Sequence, residues 1–208
     1  MGAWSATSAA PTRRWPAPER VRLFVALNLP DEVRQALHDA TAPLREAAPR
    51  GVAWVRPEGL HLTLKFLGEA EEPRVAEVAA ALGGVAAAHA TVRVGVGGVG
   101  AFPSLARPRV VWAGVEATPR LELLQHDVEA ACATLGFEVE GRAFRPHVTL
   151  GRVRPGAAVE SLRALAEAAS RCTPHAEVMV PTLDLMASTL MPGGARHDAV
   201  ARLPFREE

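Results

Sequence analysis

Lysine is nearly missing from this chain, occurring once at Lys65 beside 22 arginines, and tyrosine is missing altogether. With so much Ala, Gly, Pro and Val, the arginine bias reads as the codon usage of a GC-rich genome. Cysteine is scarce as well. Cys132 and Cys172 stand apart and match no metal or redox spacing, so both read as reduced core or surface thiols of a cytoplasmic protein. No apolar run approaches the length of a membrane span. Neither sign of charge prevails, with 23 basic and 23 acidic residues. That excludes a broad basic face coating long nucleic acid, but leaves room for a site that captures one phosphate group.

Residues 1–20 have no continuous apolar centre and so are not a secretory signal. The opening MGAWSA lacks the Ser or Thr of an N-myristoylation motif. A disordered tail carrying Trp4 and Trp15 is expected there, followed by one domain over 21–208. The 49% hydrophobic and 22% charged content is that of an ordinary globular chain, long enough for a full core.

The order of elements then repeats. The first half reads as a strand over 23–29, a helix from 31 to about 47, a short strand over 51–55, and a turn at 56–59. A strand over 60–67, a helix over 72–82 and a Val-rich strand over 90–96 follow. The second half reads as a strand over 109–115, a helix over 119–135, a short strand over 137–139 and a strand within 144–153. It continues with a helix over 159–169 and a strand from 177. A last hairpin, 182–190 and 195–203, turns at Pro192-Gly193-Gly194. The glycine-rich 95–100 lacks both P-loop and dinucleotide context and reads as a bulge or crossover. Strands joined by short turns as often as by helices predict an α+β fold. It would have two pseudo-two-fold lobes, each an antiparallel-rich sheet with helices, and a cleft between them.

Into each half one motif is set, HLTL at His61–Leu64 and HVTL at His147–Leu150, 86 residues apart. On a strand, residues two apart share a face, so His61 projects with Thr63 and His147 with Thr149. Strand alternation puts Lys65 on that same face, for a minor phosphate role. Two histidines across a cleft suit a reaction that gives up one proton and takes one. Opening a cyclic phosphodiester is such a reaction, and the threonine hydroxyls can donate to the phosphate oxygens. A zinc site is the rival chemistry; His175, Asp184 and His197 are available as further ligands, but none has ligand spacing to a motif. His38, His89 and His126 read as surface residues.

RLFVALNLP, HLTLKFLGE and FRPHVTLGR together resemble the two-histidine (2H) phosphoesterases, and among them the bacterial and archaeal RNA 2′,3′-cyclic phosphodiesterases (2′–5′ RNA ligases). The resemblance covers about Arg22 to Phe205. It implies cofactor- and metal-free opening of 2′,3′-cyclic phosphates at RNA 3′ ends to 2′-phosphates, with joining or cleavage of 2′–5′ linkages in tRNA halves by some members. It further implies that His61 is the proton donor and His147 the proton acceptor, with Thr63, Thr149 and Arg152 on the phosphate and Phe24 stacked on the terminal base, a plain core position being the equal alternative for Phe24. A cytoplasmic monomer with no membrane contact is expected. The alternative is a module that holds such RNA ends without turnover. Asn28 stands where the family usually has an acidic residue, and His197 where tyrosine is common.

Overall fold

The computed structural model describes residues 20–191 and 194–207. The expected tail and the turn at Pro192-Gly193 thus lie outside the described residues. Along the chain run β1 (Arg20–Asn28), α1 (Asp31–Ala40), α2 (Ala42–Ala47), β2 (Val52–Trp54), β3 (His61–Glu71), α3 (Pro73–Ala88) and β4 (Val92–Phe102). Then come β5 (Val110–Val115), α4 (Pro119–Thr134), β6 (His147–Val153), α5 (Val159–Arg171), β7 (His175–Val180), β8 (Thr182–Met191) and β9 (Gly194–Pro204).

All the strands join one curled antiparallel sheet in the order β7-β4-β5-β6-β3-β1-β8-β9, with β2 added on β6. The expected lobes are present but share this sheet, so the two motif strands lie edge to edge rather than on facing sheets. One lobe is β3-β1-β8-β9 and the other β6-β5-β4-β7, so each takes strands from both halves of the sequence. Leu62 paired with Val148 is the one registered link between β3 and β6. There the pseudo-two-fold axis passes.

Alternation decides the faces. Leu23, Val25 and Leu27 of β1 point to the helices and are fully buried with Leu62, Leu82, Leu121, Leu124, Val128, Val148 and Leu165. Each such side chain contributes about 1.5–3 kcal/mol by leaving water. Both cysteines are buried in this layer, and burial pushes the Cys132 thiol up to about 11.

Several sequence expectations change. The helix expected over 31–47 is broken at Thr41, because Pro43 has no N–H to continue the α1 ladder. Helix α3 runs on through Gly83-Gly84 to Ala88. The glycine-rich 95–100 is part of β4, with a bulge between Gly97 and Val99 around Gly98 at φ +66°. No strand forms over 137–139: Lys65 Nζ donates to the Glu138 carbonyl and Glu129 accepts from the Glu140 N–H, so side chains take the bonds a ladder would need. His89 is not a surface residue; it is buried, with Nε2 2.7 Å from Asp127 Oδ2. Among the described residues no helix is long and apolar enough to cross a membrane.

Candidate active site

The Leu62–Val148 link has a direct consequence for the motifs. Continuing its register one residue each way sets His61 opposite Thr149 and Thr63 opposite His147. Side chains opposite one another in an antiparallel pair stand about 5 Å apart. Leu62 and Val148 point into the core, so the four polar side chains gather on the other face around the pseudo-two-fold axis.

A bulge follows each motif at the same place. On β3, Thr63 pairs with Ala26 and Lys65 with Val25, leaving Leu64 as the extra residue. On β6, Thr149 pairs with Trp112 and Gly151 with Val111, leaving Leu150 as the extra one. An extra residue inverts the alternation beyond it. Lys65 therefore turns to the helix side, against expectation, where its buried ammonium pairs with Glu129 of α4. It has no place in the site. The next residue in each strand is the one that returns to the site face: Phe66 on β3 and Arg152 on β6. Arg152 is exposed, and its charge is felt by His197 across the cleft.

Both histidines are held in the same way. His147 Nδ1 lies 2.7 Å from the carbonyl of Arg145, two residues back. His61 likewise bonds to the carbonyl of Gly59, two residues back. A carbonyl only accepts, so His147 Nδ1 carries a proton and its Nε2 is left to the cleft. Gly59 is required there, since a Cβ would stand 2.9 Å from Val55 Cγ1.

Their surroundings differ. The His61 ring lies 5.0 Å from Phe24 at 32°, with the His197 ring edge-on at 5.3 Å. Burial pushes its pKa down to about 4, with His197, Arg34 and His147 adding to the effect and the Gly59 carbonyl opposing it. His147 meets Phe102 edge-on at 5.0 Å and Trp112 at 6.3 Å.

Phe24 does not present a face for a base. It is 2% exposed, packed with Ala26 and Met186 beneath the rings of His61, Phe66 and His197. It shares the site face with those rings, and they cover it. The open aromatic is Phe66, 65% exposed and 6.1 Å from Phe24. Sequence reasoning missed it, although it stands five residues after His61 as Arg152 does after His147. Arg34 was missed as well; it donates from α1 to the Glu58 carbonyl at 3.2 Å, beside the turn that carries Gly59. Asn28 donates to Asp184 at 2.6 Å, so the acidic group at this end of β1 comes from β8. Of the side chains weighed as further zinc ligands, only His197 adjoins His61. No cluster of three or more His, Cys, Asp or Glu suited to a metal occurs among the described residues.

The family described as LigT like Phosphoesterase matches residues 27–112 and 114–197. An RNA 2′,3′-cyclic phosphodiesterase of Thermotoga maritima is 33% identical over 185 residues, 89% of this chain and 96% of the relative. One of Geobacillus stearothermophilus is 34% identical over 73% of this chain, which spans only 49% of that relative's length. A solved structure from Thermus thermophilus superposes with a TM-score of 0.74 at 30% identity, covering 90% of this chain and 99% of that one. E. coli LigT in complex with 3′-AMP gives 0.72 at 25% identity, covering 91% of this chain and 100% of that one. With both halves of the duplication matched, the chain belongs to the LigT-like phosphoesterase family.

Proposed function

We propose that the protein is an RNA 2′,3′-cyclic phosphodiesterase. The observation that carries this reading is the quartet of His61, Thr63, His147 and Thr149 around the Leu62–Val148 link. A phosphate on the axis meets one imidazole and one hydroxyl from each lobe. His147 Nε2 takes a proton from water as the water oxygen bonds to phosphorus. The bond from phosphorus to the 3′-oxygen breaks, and His61 protonates that oxygen, leaving a 2′-phosphate. Thr63, Thr149 and Arg152 hold the non-bridging oxygens as charge moves onto them. Phe66 offers its exposed ring to the base, a contact that tolerates any base.

The low pKa of His61 bears on its role as acid. At neutral pH, protonating a histidine of pKa about 4 costs about 4 kcal/mol. A phosphate charge about 4 Å away returns about 4 kcal/mol at an effective dielectric near 20. The substrate's own charge thus supplies what loading the acid requires. We place the reaction in the cytoplasm, carried out by a monomer, with tRNA halves among the RNA ends it heals.

Incubation with a nucleoside 2′,3′-cyclic monophosphate tests the reading, and the 2′-monophosphate is the expected product. Saturable binding without product would instead favour a module that only holds RNA ends.

A further inference from the structure

His197 belongs to neither motif, yet it packs against the ring of His61. It lies on β9, three strands from β3 in the sheet. In a flat sheet that separation is about 14 Å, whereas the rings of His197 and His61 stand 5.3 Å apart. The sheet reaches this closure by curling, and His197 comes to rest edge-on against Phe24 as well, at 5.1 Å and 81°. It thereby roofs Phe24 and walls one side of His61. Its Nδ1 is buried without a hydrogen-bond partner among the described residues, so the ring is held by packing rather than by a bond of its own.

The charged groups around the pair come from every side. His61 faces His197 from β9, Arg34 from α1 and His147 from β6. His197 faces Arg152 from β6 and its own neighbour Asp198, which Arg196 Nε meets at 2.8 Å. Apart from Asp198, these groups disfavour a proton on the pair. An anion in the cleft would shift that balance toward the proton.

We propose that His197 is a positioning residue for His61: it closes the curl over the catalytic ring and makes loading of its proton depend on the arrival of a phosphate. The inference rests on the cyclic-phosphodiesterase reading. It supplies what that reading needs, an acid that is empty in the free site and armed in the complex. The ring of His197 both covers His61 and lowers its pKa by its charge, so the ring that walls His61 also bears on when His61 takes a proton. His197 itself touches no reacting atom.

Titration of His61 by NMR in the whole protein, without and with inorganic phosphate, tests this independently of turnover. In the parent chain the His61 signal should titrate near pH 4 and move up on adding phosphate. In His197→Ala, with the wall removed, it should titrate at least about one unit higher in the free protein, a tenfold change in proton affinity. Phosphate should then move it less. His197→Phe keeps the wall without its charge, so its His61 should rise only slightly, staying well below the alanine variant's, and remain responsive to phosphate. His197→Phe also serves if the alanine variant does not fold: His61 must then rise slightly, by the part that His197 charge contributed. Unchanged His61 titration in whichever variants fold would overturn the proposal. Failure of the cyclic-phosphodiesterase reading would look different, as absence of product with the His61 titration as described.

Discussion

Replacing Phe66 by alanine separates base recognition from chemistry. The ring is 65% exposed, so only about a third of its area lies against protein. Truncation there costs the fold about 1–2 kcal/mol by area. A stacked base contributes about 1–3 kcal/mol, which predicts a fall in kcat/KM of about 5- to 150-fold on a nucleoside 2′,3′-cyclic phosphate. The informative assay runs a baseless riboside 2′,3′-cyclic phosphate in parallel. That substrate has nothing to stack, so the variant and the parent should turn it over at similar rates. Phe66→Trp should keep the preference for the nucleoside. Phe24→Ala, by contrast, empties a site only 2% exposed, and should cost about 3–5 kcal/mol of folding stability. Equal losses on the nucleoside and the baseless substrate in Phe66→Ala, or no loss on either, would refute the stacking role.

Other expectations follow from the same geometry. His61 has a folded pKa of about 4 against about 6.5 unfolded, so between those values the unfolded chain holds the extra proton. Stability contributed by neutral His61 is therefore present above about pH 6.5 and lost on acidification to pH 4, by up to about 3 kcal/mol. Denaturant unfolding at several pH values should show this slope, and His61→Gln should flatten it; an unaltered slope contradicts the assignment. Lys65→Met should destabilise by about 3–5 kcal/mol, because Glu129 keeps its charge without its cationic partner. Adding Glu129→Met should recover much of that loss, and a single variant as stable as the parent would deny the pair its structural role. Turnover should survive chelation by EDTA, since no group of three or more His, Cys, Asp or Glu suited to a metal occurs among the described residues; loss restored by zinc or manganese would overturn the metal-free mechanism.

The paired motifs were legible because the histidine and threonine of each lie before any irregularity, where a period of two holds. Alternation misplaced Lys65, and Arg152 could be named only through resemblance, for one shared reason. The bulges at Leu64 and Leu150 invert the face beyond them, and Leu64 and Leu150 look like any other core leucine in the sequence. The same inversion brings Phe66 forward. Phe24 was named only through resemblance, and its covering by His61, Phe66 and His197 depends on a curl that no local pattern encodes. The single shared sheet was equally hidden, since strand order depends on long-range pairing. The repeated order of elements and the 86-residue offset pointed to a two-fold relation, and the offset holds through β1 and β5, α3 and α5, and the motif strands.

The central claim is that the two histidines act on opposite sides of phosphorus, His147 on the water and His61 on the departing 3′-oxygen. A substrate with sulfur at the 3′ bridging position tests it directly, because a thiolate leaves without a proton. His61→Ala should lose about 100-fold or more on the oxygen substrate and recover most of it on the sulfur substrate. His147→Ala should stay impaired on both. Rescue of His147→Ala with none for His61→Ala would show the roles to be reversed, and rescue of neither would contradict general-acid catalysis by either ring.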